Sequence, residues 1–279
     1  MIHINNLSYR YTGGTLALDS VNMSINKGEF VALIGKNGCG KTTLVRHLNA
    51  LLIPTDGSVS VFGMDTKDTP KVWNIRQAVG MVFQNPQNQF VGTTLEEDVA
   101  FGPENLALPQ NEIRKRVDMA LREVGLLEYK TRAPKTLSGG QMQRAAIAGV
   151  LAMEPECIVF DEVTSMLDPE SRKMILDTIR QLHHNGKTII YVTQRIGEIL
   201  PFAGRIISMD NGRIEFMGTP REYLASVKSH VPAITSLMRK LKAKGFDVRD
   251  DVFAVDDAFL EITKACMKGY EEERNTDNG

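Results

Sequence analysis

Cysteine is scarce: three residues in 279, Cys39, Cys157 and Cys266, spaced too widely for a metal pattern. With no disulfide framework, the expected setting is a reducing cytoplasm. An excess of one charge is lacking too. Lys and Arg number 33 against 34 Asp and Glu, a net charge of -1, which leaves no global electrostatic case for nucleic acid as a partner. No stretch approaches the about 18 apolar residues of a membrane span, so any membrane role is expected to run through a partner. Met1-Ile2-His3-Ile4-Asn5 lacks the basic start and apolar core of a signal peptide, and none is expected. Internal repeats are absent. What remains is an ordinary globular balance, 42% hydrophobic and 24% charged, in a length that allows one or two domains.

Against that background one stretch stands out. Gly35-Lys36-Asn37-Gly38-Cys39-Gly40-Lys41-Thr42, with Thr43 behind it, reads G-x-x-x-x-G-K-T, the phosphate-cradling P-loop. Glu29 to Ile34 before it is an apolar, β-branched run that predicts a buried strand, and Leu44, Leu48, Leu51 and Leu52 recur at helical spacing after it. Glycines at 35, 38 and 40 permit positive φ and a close backbone approach to an anion. Lys41 is placed to reach the β- and γ-phosphates of a nucleotide, and the Thr42 hydroxyl to bind Mg²⁺. Cys39 contributes mainly a backbone N–H, though a helix N-terminus lowers thiol pKa and predicts a reactive thiol. Tyr11, ahead of the P-loop strand, suits either stacking on a purine or half-burial in a strand, and the residues alone do not choose.

Other stretches repeat this chemistry. Leu137-Ser138-Gly139-Gly140-Gln141 opens a small-residue helix; Ser138 caps it and Gly139-Gly140 exposes its first amides, a second anion site of the same kind. Cys157 to Glu162 is an apolar strand ending in two carboxylates, where open α/β sheets bind ligands. Asp161 suits the Mg²⁺ shell and Glu162 a general base for water. Ala78 to Phe83 is a buried strand delivering Gln84, and Thr188 to Val192 one delivering Thr193-Gln194-Arg195. Capping boxes are predicted at Thr94 and Thr219, Asp168 caps a helix opened by Pro169, and Asn211-Gly212 makes a type I′ hairpin. Trp73, in a polar connection, is expected to pack in the core. Ile234, Leu237, Met238 and Leu241 suggest a late helix, with Asp256 or Asp257 capping another, and the polar residues 271–279 suggest a disordered tail.

With the P-loop, LSGGQ and the Asp161-Glu162 strand in this order, residues 1–225 resemble an ABC transporter ATPase subunit. Met81 to Gly92, containing Asn88-Gln89-Phe90-Val91-Gly92, and Glu97 to Pro103 narrow the likeness to the energy-coupling factor (cobalt/vitamin) ATPases, the first of the paired subunits; Ser165-Met166-Leu167-Asp168 agrees. The resemblance implies an α/β P-loop fold of ABC type. It has a mostly parallel core sheet, an N-terminal antiparallel β part, a helical subdomain near 86–150 and a helical extension after 228. It implies that Tyr11 stacks on adenine and that Gln84 senses Mg²⁺ and relays to a membrane partner. Ser138, Gly139, Gly140 and Gln141 would contact ATP held by a second ATPase subunit, with Asp168 at the seam of a head-to-tail pair. Above that pair sit a transmembrane coupling subunit and a subunit that captures a vitamin or metal ion. The chain would be peripheral on the cytoplasmic face of the cell membrane. The extension resembles a dimerisation segment. Departures from the family pattern are Gln194 for His, Arg195 for Asp, Val163 for Pro and Gln87 for an acid. The resemblance implies that a His at 194 would hydrogen-bond the γ-phosphate and fix the attacking water. Gln can donate a hydrogen bond but cannot take up a proton or carry positive charge, and losing such a transition-state contact costs on the order of 10²–10³ in rate. That motivates an alternative reading, an assembly subunit with weak hydrolysis. A cassette acting on DNA or ribosomes fits less well, since only one P-loop occurs.

Overall fold

The computed structural model describes residues 1–227 and 231–276, with side chains as far as Met267. In chain order the strands are β1 (Ile2–Arg10), β2 (Leu16–Ile25) and β3 (Phe30–Gly35), then helix α1 (Lys41–Leu48). β4 (Asp56–Val61), β5 (Met64–Asp65), α2 (Val72–Ala78) and β6 (Val79–Val82) follow. The helical stretch is α3 (Leu95–Asn105), α4 (Gln110–Glu123) and α5 (Gly139–Leu151). After it come β7 (Cys157–Asp161), α6 (Pro169–His184), β8 (Thr188–Thr193), α7 (Ile196–Ile199), β9 (Arg205–Asp210), β10 (Arg213–Gly218) and α8 (Pro220–Ser226). The chain finishes with α9 (Ala233–Ala243) and α10 (Val255–Thr276).

Two sheets result. β2-β1-β4-β5 is antiparallel, and β10-β9-β3-β8-β7-β6 is parallel except for the edge strand β10. The central parallel strands β3, β7 and β8 are near-continuous apolar runs because both faces are covered. Alternate residues serve different cores. Leu33, Val159 and Val192 face the antiparallel sheet and α1, with Ile4, Leu18 and Leu44. Ile34, Phe160 and Tyr191 face α5 and α6 with Ile147 and Ile175, in a core that also takes Leu121 of α4. Each fully buried Leu, Ile or Val contributes about 1.5–3 kcal/mol relative to exposure.

The capping boxes predicted at Thr94 and Thr219 are present, and Ser138 pairs with Gln141 in a third. Asn211 and Gly212 take φ of 46° and 78°, as the predicted I′ hairpin requires. Four expectations need correction. The P-loop helix stops at Leu48, and Leu51 is exposed rather than on a buried helical face. Trp73 is 64% exposed, because α2 is short and buries only Ile75, half a turn away from it; its ring instead lies 5.9 Å from the Arg76 guanidinium. Asp256 and Asp257 lie inside the first turn of α10, favoured there by the helix dipole, and do not precede it. The polar tail is helical through Thr276, since its Glu and Arg residues are good helix formers; 277–279 lie outside the described residues. α9 and α10 share a small core of Met238, Val248, Val252 and Ala258. Among the described residues no helix is long and apolar enough to cross a membrane.

Candidate active site

Strand order assembles the site. β3, β8, β7 and β6 are parallel neighbours, so their C-terminal ends share one edge. β3 delivers the glycine loop, β8 delivers Gln194, β7 delivers Asp161 and Glu162, and β6 leads to Gln84. Residues far apart in the chain thereby meet where α/β sheets bind ligands.

The loop has the backbone its composition predicts: φ is 148° at Gly35, 77° at Gly38 and 106° at Gly40. Gly40 admits no other residue, because a Cβ there would lie 2.6 Å from the Ala17 carbonyl oxygen. Lys41 is buried, and its Nζ donates to the carbonyls of Gly35 and Lys36, both at 2.8 Å. It also stands 3.9 Å from Glu162 Oε1. Cys39 is buried, and burial pushes its thiol pKa up against the opposing pull of Lys41. Desolvation thus works against the reactive thiolate expected at the helix N-terminus.

Asp161 is buried at the end of β7. Burial raises its carboxyl pKa; the Thr42 hydroxyl lowers it, and the neighbouring Glu162 charge adds to the rise. Its Oδ1 is buried without a hydrogen-bond partner. An orphaned carboxylate oxygen beside a hydroxyl is a donor set suited to a hard cation that keeps its remaining positions for phosphate and water. Among the described residues no group of three or more His, Cys, Asp or Glu is arranged to hold a metal, so an all-protein cage is not on offer.

Glu162 has φ of +51°, a left-handed conformation that costs a non-glycine residue about 1–3 kcal/mol. The turn is held by Glu162 N donating to Val192 O at 3.0 Å and by Ser165 Oγ donating to Glu162 O at 2.8 Å. The strain turns the carboxylate toward Lys41 and Gln194. Gln194 Nε2 donates to Glu162 Oε1 at 3.0 Å and to Asn37 Oδ1 at 2.5 Å. One amide thus joins the P-loop to the carboxylate.

Tyr11 is 38% exposed, and its hydroxyl lies 3.1 Å from Thr43 Oγ1, so the ring sits by the first turn of α1. Gln84 is exposed and donates to Ser165 Oγ at 3.1 Å; it makes no hydrogen bond to Thr42 or Asp161 among the described residues. The Ser138 side chain is occupied in capping α5, leaving the exposed Gly139 amide region open. Nothing among the described residues hydrogen-bonds Ser138–Gln141 to the P-loop of the same chain. Asp168 caps α6 through Ser171 N at 2.9 Å, and that hydrogen bond holds its carboxyl below the usual range. Two residues escaped the sequence reading. Asn37 counts there only as a loop position, yet its side chain is the partner of Gln194. Gln143 is buried in α5 and donates to the Phe83 carbonyl at 3.1 Å, tying the helix that starts at Ser138 to the residue before Gln84. A polar side chain two residues beyond LSGGQ was the available signal.

Comparisons with known proteins agree with this fold. Residues 18–165 match the family model described as ABC transporter. The chain is 54% identical over 253 residues to the energy-coupling factor transporter ATP-binding protein EcfA of Methanosarcina acetivorans, covering 89% of this chain and 92% of that one. It is 49% identical over 268 residues to EcfA1 of Clostridium novyi, covering 92% and 95%. Among solved structures it superposes with CbiO1 of Clostridium perfringens, described as part of the ABC transporter complex CbiONQ. The TM-score is 0.76 at 35% identity, over 88% of this chain and 95% of that one. On these matches the chain belongs to the ABC transporter ATPases of the energy-coupling factor type.

Proposed function

We propose that this ATPase powers uptake of a vitamin or metal ion as one half of a head-to-tail ATPase pair. It would act beneath a transmembrane coupling subunit and a substrate-capture subunit, peripheral on the cytoplasmic face. The observation that carries the catalytic part is the convergence of Lys41, Asp161 and Glu162 at one sheet edge, with Asp161 Oδ1 left unpartnered. Lys41 and the amides from Gly35 to Thr43 grip the phosphates of ATP, and Tyr11 carries the adenine. Glu162, held by Gln194, accepts the proton of the attacking water. Thr42 and Asp161, together with Gln84, would hold Mg²⁺, which would offset charge on the phosphates. The pairing reading is supported by Ser138, Gly139, Gly140 and Gln141, which form an open helix N-terminus apart from this chain's own P-loop, with Asp168 nearby at the start of α6. Residues 1–228 form the ATPase domain, with a helical part near 86–150, and residues 229–279 an extension that helps pairing. The alternative of an assembly subunit with weak hydrolysis owing to Gln194 draws no support from the relatives.

Affinity purification of the full chain from detergent-solubilised membranes is expected to recover a second ATPase chain and polytopic membrane proteins in fixed ratio. Recovery of nucleic acid instead would remove the transporter assignment.

The metal assignment has its own test. Because burial raises the Asp161 pKa in the folded chain, the contribution of this one group to stability without ligand is fully present below its unfolded pKa and is lost as pH rises through the folded pKa. Asp161→Asn removes a buried charge that lacks a full set of partners. The variant is expected to be more stable than the parent at neutral pH without nucleotide, by about 1–3 kcal/mol. It is also expected to lose the extra stabilisation that Mg²⁺ adds to ATP. Calorimetry with ATP, with ATP and Mg²⁺, and with neither reads both effects; an unchanged Mg²⁺ increment would remove Asp161 from the metal site.

A further inference from the structure

We propose that Tyr9 and His47 are positioning residues for the nucleotide base: they fix the Tyr11 ring and tie it to the helix that carries the phosphate-binding residues. The inference rests on the reading that Tyr11 carries adenine, and it goes beyond it. Tyr11 lies one residue past the end of β1, in a turn where its N–H donates to Thr15 O at 3.0 Å. An exposed tyrosine in such a turn would sample several rotamers, and binding would have to immobilise it. Two contacts remove that freedom. The Tyr9 ring meets the Tyr11 ring edge-on, with centroids 4.9 Å apart and planes at 87°. The Tyr11 hydroxyl meets Thr43 Oγ1 at 3.1 Å.

Tyr9 is itself backed. The His47 ring lies 4.8 Å away at 73° and is fully buried in α1. His47 Nδ1 stands 2.8 Å from the Thr43 carbonyl, which only accepts, so Nδ1 carries the hydrogen. Burial lowers the His47 pKa and keeps the ring neutral, as an apolar buttress requires. The contacts close a circuit: Tyr11 to Tyr9, Tyr9 to His47, His47 to Thr43, and Thr43 back to Tyr11. Three of its four members have no assigned part in base recognition. Thr43 and His47 are on α1, which begins with Lys41 and Thr42, so the base platform is referenced to the phosphate site.

The test measures Kd of the full-length chain for ATP and for inorganic tripolyphosphate, which has no base. Tyr9→Leu is expected to weaken ATP about 3- to 10-fold, the range for losing a specific aromatic pair, and to leave tripolyphosphate unchanged. Tyr9→Phe keeps the ring and is expected to restore ATP binding. His47→Leu is expected to act like Tyr9→Leu, and Tyr9→Met serves if Tyr9→Leu does not fold. Equal weakening of both ligands would mean a merely structural role and overturn the proposal. If Tyr11→Ala weakens ATP while Tyr9→Leu does not, the platform stands and the buttress falls. If Tyr11→Ala leaves ATP binding unchanged, the platform reading itself fails, and the inference with it.

Discussion

Glu162→Gln is expected to lower ATP turnover of the assembled complex by about 10²–10⁴-fold while ATP still binds, the usual range for removing a general base. The substitution is close to isosteric, so the strained turn and its hydrogen bonds from Ser165 are retained. It removes the charge that faces Lys41 at 3.9 Å and the ability to accept a proton from water. The neighbouring Asp161 is not expected to substitute, since it is buried at the strand end and is the residue proposed for the cation site. Loss of the negative charge also favours closure of two nucleotide-loaded subunits, so the variant should accumulate as an ATP-bound pair. Single-turnover hydrolysis and gel filtration with ATP read the two effects. Turnover within a few-fold of the parent would remove Glu162 as the base.

Lys41→Ala is expected to abolish useful ATP affinity, with a loss of about 2–5 kcal/mol, or roughly 30- to 5,000-fold in Kd. Lys41 is 5% exposed, so its ammonium acts with little solvent screening. Its present partners are two backbone carbonyls, which hold it over the loop and release it at small cost when phosphate oxygens replace them. Without it, phosphate would meet the Glu162 carboxylate with no cation between them. Lys41→Arg is expected to fail as well, because a planar guanidinium neither fits the cradle nor reproduces a compact point charge. Titration calorimetry checks both variants, and thermal unfolding confirms that they fold; near-parental affinity in Lys41→Ala would remove the lysine from the phosphate site.

Much of this was legible before any coordinates. Gly35 to Thr42 announced itself because a cradle of backbone amides needs glycines at fixed spacing, whatever surrounds them. Ser138 with Gln141, Thr94 with Glu97 and Thr219 with Glu222 were legible because capping is settled within four residues. The strand ending in Asp161-Glu162 was legible because burial on both faces demands an unbroken apolar run. The misreadings share a cause. Residue type alone places Trp73 in the core, but a short helix with one buried position has no room for it. A place at a helix start argues for a reactive Cys39 thiol, whereas the depth at which the fold buries it pushes its pKa up.

By itself the sequence determined the local chemistry: which loop cradles phosphate, which strand ends in carboxylates, and where helices begin. Only the tertiary structure decided which of these pieces meet. The sheet order β10-β9-β3-β8-β7-β6 does not follow the chain, and it alone sets Gln194 between Asn37, 157 positions away, and Glu162. The same holds for the circuit from Tyr9 through His47 to Thr43 and Tyr11. Periodicity and capping report the faces and ends of single elements, while contacts across long separations arise from how those faces are stacked, which no local pattern encodes.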